Sequence, residues 1–311
     1  MGTVAVVFPG QASQYVGMGR DLYESNADVR KLYDIASKEI GEDIAALSFN
    51  GPAEKLKETR FTQPAILLHS LAVLTILKDR LPTASLTAGH SLGEYGSLAL
   101  SGVLSPEDAI RAVVKRSALM EEACRKNKGT MAAIMGLDET SIAECCEMAS
   151  AKGVVVPANY NSANQIVISG AIDGVEEACR LCKEKGAKRA IMLEVGGAFH
   201  SPLMEPARDG MRKYLAKLEF AAPRINVIPN VTGRAENDPE KLKELLVDQI
   251  TSPVRWYQTM QYIKNGGVDT VFEIGPGKVL SGLFKRELND AQIYNIDTLE
   301  DIEKYEATRV E

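Results

Sequence analysis

Histidine is scarce in this chain, with only His69, His90 and His200 among 311 residues. Chemistry that needs an imidazole base has only those three positions to use. Positive charge is not in surplus either: 36 Lys and Arg against 42 Asp and Glu give a formal net charge of −6. That balance excludes a general nucleic-acid binder, which must displace counterions from phosphates with excess cations. Long apolar runs are missing. The longest, PAILLHSLAVLTIL at 64–77, is interrupted by His69, Ser70 and Thr75 and is too short to cross a bilayer, so a core helix is expected. No basic segment or cleavage site precedes the first apolar run in MGTVAVVFPG, and the five cysteines are an odd number; a reducing cytoplasm is the expected location. No metal motif is present. Cys179 and Cys182 form a C-x-x-C on a helical pattern without a second ligand pair, which points to structural thiols. EIGPGKVLSGLFKR lacks the spacing and the Lys-Ser/Thr pair of a phosphate loop, and a tight turn between strand and helix is expected there.

What is present is alternation. The strand-like TVAVVF leads through a glycine-containing loop into helical patterns along DLYESNADVRKLYDIASKEI and at 63–80, and then SLTAG. This order predicts an α/β sheet with helices on both faces. SPEDAIRAVVKRSALMEEAC opens with Ser105 as N-cap, Pro106 at the first helical position and two acids in the first turn, so a helix starts there. From 128 to 195 the pattern becomes GTMAAIMGL, DETSIAECCEMASAKG, VVVPANY, QIVISGA, DGVEEACRLCKEKG and KRAIMLEV. That is β-α-β-β-α-β, the ferredoxin-like arrangement, and it is read as a small domain at 128–195 inserted into a large one formed by 1–127 and 196–311. The α/β pattern then resumes with INVIPN, helices at 239–250 and 253–265, DTVFEIGPG and AQIYNI.

GHSLG, Gly89 to Gly93, fits G-x-S-x-G, in which a strand turns sharply into a helix and presents the serine at the tip. Ser91 needs a base. His69 lies inside an apolar helical run and reads as a core residue; His90 precedes the serine on the strand, so alternation sends its side chain to the other face. His200, on the glycine-bearing loop GGAFHSPLMEP, is left as the base, with a capping histidine as the alternative. For an oxyanion, the amide of Leu92 follows the nucleophile at a helix N-terminus. A second amide is sought in FPGQASQYVGMG, where Gln11 is either that donor or a helix-entry residue. Arg116 shares the apolar stripe of its helix with Ala109, Val113 and Met120. A guanidinium on a buried face needs an anion, either an internal Asp or Glu or the carboxylate of a ligand.

FPGQASQYVGMG, GHSLGEY, KRSALM, NYNSANQIVISG, GAFHSPLM, DQITSPVRW and EIGPGKVLSGL together resemble the bacterial malonyl-CoA:acyl carrier protein transacylases of type II fatty-acid synthesis, in the family's order from residue 8 to about 284. The resemblance implies an α/β-hydrolase-like large domain with an inserted ferredoxin-like small one. It implies Ser91 as nucleophile, His200 as base, the Gln11 and Leu92 amides as oxyanion hole, and Arg116 on the malonyl carboxylate. Gln249 matches the position whose backbone carbonyl orients the histidine, so no triad aspartate is expected. Asn161 matches an asparagine facing the site, and Phe199 fits a malonyl rather than a branched acyl group. No cofactor is implied, since malonyl-CoA and the phosphopantetheine of acyl carrier protein are substrates.

Carrier proteins of this kind are acidic, so a chain of net charge −6 needs a local basic surface. Lys285 and Arg286, with Lys188 and Arg189, are candidates, and a solvated charged face is the alternative. A monomer is expected. The competing readings are a serine esterase or thioesterase on the same elbow, a stand-alone malonyl acyltransferase for polyketide synthesis, and a non-catalytic carrier-binding module. No firm role emerges for Glu94.

Overall fold

In the computed structural model, which describes residues 3–288 and 290–308, the strands fall into two sheets. The first contains β1 (Thr3–Phe8), β2 (Leu86–Gly89), β7 (Asn226–Ile228), β8 (Val268–Ile274) and β9 (Gln292–Ile296) in the order β7-β2-β1-β8-β9, with every pairing parallel. Both faces of β1 are covered, which accounts for its unbroken apolar sequence. Val4, Val6 and Phe8 enter the larger core, while Ala5 and Val7 enter a second one around Trp256, Met260 and Phe284. The chain is therefore α/β, as expected.

The second sheet contains β3 (Thr130–Met135), β4 (Val155–Ser162), β5 (Gln165–Gly170) and β6 (Arg189–Met192), antiparallel in the order β4-β5-β3-β6. With helices Glu139–Ala149 and Ile172–Glu184 between its strands, this is the ferredoxin-like order. One face packs Ile134 and Ile168 against Ile142 and Val175 of the two helices in a core of its own; Met131, Ala133 and Val167 on the other join the core of the parallel sheet. β4 is also stitched to the large sheet's side of the molecule, where Tyr160 N–H donates to Val254 O (2.9 Å) and Val254 N–H to Ala158 O (2.8 Å). The thiols of Cys145, Cys146, Cys179 and Cys182 are buried and unbridged in and around this smaller core.

Several elements differ from the sequence reading. The apolar run at 64–77 is the C-terminal part of a longer helix, Thr59–Leu77, which continues through Pro64 at an interior position and gives up one i→i−4 hydrogen bond there. Its 19 residues are long and apolar enough to cross a membrane, but 78% of the apolar window is buried against other elements, so it serves as a core helix here. A closing helix, Leu299–Ala307, was not anticipated; a capping box between Thr298 and Asp301 starts it. Ser105 caps the helix Pro106–Lys126 as expected, accepting from Asp108 N–H at 3.0 Å.

The loops that follow β1 and β2 lie side by side at the carboxyl end of the parallel strands, the end where open α/β sheets place ligands. Glycine permits that approach. A Cβ on Gly93 would stand 2.3 Å from Phe8 O, and one on Gly89 1.9 Å from Gly93 O. Both clashes are with backbone, which cannot swing aside as a side chain can. Gly93→Ala is accordingly expected to cost about 3 kcal/mol of stability, read as a lower urea midpoint; an unchanged midpoint would mean that the two loops can separate freely.

Candidate active site

Ser91 occupies the junction of β2 with a short 3-10 turn, Ser91–Gly93, and its φ of 52° lies in the left-handed region that a side chain seldom adopts. Asn230, just beyond β7, holds this strained backbone from both sides. Its Oδ1 accepts from Ser91 N–H at 2.7 Å, and its Nδ2 donates to Gly89 O at 2.6 Å. The strain at the nucleophile is thus offset by a side chain from the neighbouring strand.

His200 comes from the loop after β6 and also has positive φ, 58°. Its Nδ1 is 2.8 Å from Gln249 O and its Nε2 is 2.8 Å from Ser91 Oγ. A carbonyl can only accept, so Nδ1 carries the proton, Nε2 is the lone-pair nitrogen, and Ser91 O–H donates to it. Burial chiefly, then the nearby Arg116 guanidinium, pushes the His200 pKa down to about 3. The imidazole is consequently neutral across the range in which an exposed histidine titrates.

Arg116 is fully buried and points at the same hydroxyl. Nη2 donates to Ser91 Oγ (3.0 Å) and to Gln249 Oε1 (2.9 Å), Nη1 donates to Gln63 Oε1 (2.6 Å), and Nε has no hydrogen-bond partner among the described residues. No carboxylate stands among these partners. Of the two anions considered from sequence, an internal acid in contact is not what the fold provides.

Glu94, one helical turn past the elbow, is 1% exposed and has a defined place. Its Oε2 accepts from Asn230 N–H (2.9 Å) and Gln249 Nε2–H (2.8 Å), and burial is the main cause that raises its pKa to about 7. Gln249 Nε2 also donates to Ser91 O at 3.0 Å.

A cavity of about 280 Å³ opens over Ser91 and His200, between the loops of the parallel sheet and the face of β4 and β5. Gln11, Asn161 and Phe199 line it. Among the described residues, neither the Gln11 nor the Leu92 amide donates in a turn or loop hydrogen bond, and both belong to the two loops that glycine brings together. A larger groove of about 780 Å³ around Leu74 and Arg224 lies on the far side of the fold and contains none of these groups.

His90 departs from the sequence reading. Its ring lines the same cavity as Ser91, with Nε2 donating to Asn161 Oδ1 at 3.0 Å and Trp256 packed 5.5 Å away. Alternation of side chains applies to a continuous strand; β2 ends at Gly89 and the backbone turns left-handed at Ser91, so the rule does not carry across. His69 is buried in its helix, with Nε2 2.7 Å from Asp297 O. Asn230 and Gln63 were missed. Asn230 could have been found as the polar residue just after the strand INVIPN, at the same sheet end as the elbow; Gln63 as a polar side chain within the apolar FTQPAILL.

A strained serine at an elbow with a neutral histidine hydrogen-bonded to it defines the class of serine-nucleophile acyl-transfer enzymes. The comparisons narrow this class: residues 5–306 match the acyl transferase domain, and the chain belongs to that family. It is 44% identical over 283 residues to the malonyl CoA-acyl carrier protein transacylase of Escherichia coli K12, covering 91% of this chain and 92% of that one. The Bacillus subtilis 168 protein of the same name is 42% identical over 304 residues, 96% of each chain. Among solved structures, an acyl carrier protein S-malonyltransferase from Vibrio cholerae superposes with a TM-score of 0.92 at 44% identity, covering 97% and 99% of the two chains. A malonyl-transacylase in complex with a type II polyketide synthase acyl carrier protein superposes with a TM-score of 0.92 at 40% identity, covering 97% and 98%.

The neutral state of His200 is open to direct measurement. In 15N-labelled protein at pH 5.5, the His200 ring is expected to show the neutral Nδ1–H form, whereas an unperturbed histidine near 6.5 would be mostly protonated. An imidazolium signature at that pH would contradict the geometry above.

Proposed function

We infer that the chain transfers malonyl from malonyl-CoA to the phosphopantetheine thiol of acyl carrier protein, for fatty-acid biosynthesis. One observation carries the choice of acyl group: a buried guanidinium 3.0 Å from Ser91 Oγ with only neutral partners. A malonyl unit esterified to that oxygen ends in a carboxylate, the anion Arg116 lacks.

In the first half-reaction His200 Nε2 takes the Ser91 proton as Oγ attacks the thioester carbon, and the resulting oxyanion is held by the Gln11 and Leu92 amides. The C–S bond then breaks, coenzyme A leaves with the proton from His200, and malonyl-Ser91 remains. In the second, His200 takes the proton of the carrier's thiol, sulfur attacks the ester carbon, and Ser91 departs with that proton. Gln249 O keeps the imidazole in the required tautomer and favours its protonated form, so no triad carboxylate is needed. Asn161 and Phe199 bound the space for the acyl group and the thiol arm. These steps use only side chains, amides and the two substrates, without a cofactor or metal.

Residues 128–195 are taken as a small domain that roofs the site, and the chain as a cytoplasmic monomer. Lys285, Arg286, Lys188 and Arg189 are exposed, which suits docking of an acidic carrier. Polyketide carriers remain a second reading, supported by the likeness to the solved carrier complex.

Intact-protein mass after mixing with malonyl-CoA is expected to show one malonyl adduct that is absent in Ser91→Ala and persists until a thiol arrives. Rapid release to water without an adduct would instead make the chain a hydrolase. Arg116→Ala is expected to reduce malonyl transfer by about 100-fold, as loss of a charged hydrogen-bonded pair does, while narrowing the preference over acetyl-CoA. An unchanged preference would remove Arg116 as the clamp. Reversing both charges in Lys285→Glu/Arg286→Glu is expected to raise the half-saturating carrier concentration about tenfold at low salt without altering malonyl-Ser91 formation; no change would move docking elsewhere.

A further inference from the structure

Glu94 takes part in none of the steps above, yet it is a buried acid one residue removed from Ser91, His200 and Arg116. Through Asn230 it meets the Ser91 backbone, and through Gln249 it meets the carbonyl that orients His200. The Gln249 side chain has one orientation that satisfies both its ends. Its oxygen faces a guanidinium that can only donate, and its nitrogen faces a carboxylate oxygen that accepts. Glu94 and Arg116 are therefore the two ends of an ion pair separated by a single amide. A direct contact would occupy the guanidinium and leave no place for a substrate carboxylate; no counter-charge at all would leave a buried cation uncompensated.

We propose that Glu94 is a positioning residue for acyl transfer: acting through the Gln249 amide, its carboxylate balances Arg116 while leaving the guanidinium open, and so trades affinity for the malonyl carboxylate against the basicity of His200. The proposal rests on the roles assigned to Ser91, His200 and Arg116 above. Removing the negative charge while keeping an acceptor oxygen leaves Arg116 a stronger anion site. The same change places more net positive charge beside His200, which then takes the Ser91 proton less readily.

Glu94→Gln separates these effects from simple loss of packing, because the amide oxygen still accepts from Asn230 and Gln249. The measurement is single-turnover formation of malonyl-Ser91 against malonyl-CoA concentration at pH 8.0, where the wild-type carboxyl is mostly ionised. The half-saturating concentration is expected to fall about threefold and the maximal rate about tenfold, so that both constants decrease together. Glu94→Asp, which keeps the charge, is expected to recover most of the rate even if Glu94→Gln folds poorly. Unchanged constants in Glu94→Gln, a rise in half-saturation, or no recovery in Glu94→Asp would each overturn the proposal. Arg116→Ala measured alongside keeps the readings apart. If it leaves half-saturation unchanged, the clamp itself is wrong; if it raises it while Glu94→Gln is silent, only the role of Glu94 fails.

Discussion

A guanidinium with no exposed surface and no carboxylate in contact is costly to hold, and the centre of this protein is arranged around that cost. Gln63 and Gln249 supply the oxygens that replace water around Arg116, and Glu94 supplies charge one amide further away. Because Gln249 also presents its backbone carbonyl to His200, the residue that solvates the arginine is the one that orients the imidazole. Ser91, His200 and Arg116 are therefore one hydrogen-bonded unit, and displacement of one member is felt by the others.

Burial acts on the two titratable groups of this unit in opposite directions. It keeps His200 neutral by lowering its pKa from 6.5 to about 3, and it keeps a proton on Glu94 longer by raising its pKa from 4.5 to about 7. For His200 the unfolded chain binds the extra proton between pH 6.5 and 3, so stability is lost as pH falls through that window. For Glu94 the folded chain binds it between pH 4.5 and 7, so stability is lost as pH rises. Between pH 4.5 and 6.5 the two slopes oppose one another, which spares the site a steep dependence on acidity while it retains a neutral base.

The parallel sheet brings three loops to one end, after β1, β2 and β7; Gly93 lets the first two touch, and Gly89 lets the turn after β2 fold back on itself. The antiparallel sheet then closes the other side, contributing Asn161 to the cavity wall and, through it, a hydrogen bond that fixes His90. The helix Val279–Glu287 contributes Val279, Leu280 and Leu283 to the same cavity.

Much of this was legible in the residues themselves. The alternation of elements, the cap at Ser105 and the strand order implied by β-α-β-β-α-β follow from local periodicity and turn chemistry, which the fold retains. The elbow at Ser91 is likewise a local motif, and with so few histidines elimination reached His200 although 109 residues separate the two. Local rules failed where the backbone leaves a regular element: the left-handed turn at Ser91 brought His90 into the cavity against the expectation from alternation. Tertiary structure alone decided the partners of Arg116, the clamp at Asn230 and the place of Glu94. Each is a contact between groups distant in sequence, 158 residues for Gln249 and the Ser91 carbonyl, and a polar residue's spacing does not say which distant donor will meet it. Sequence determined which groups were available for chemistry; packing around one buried charge decided how they face each other.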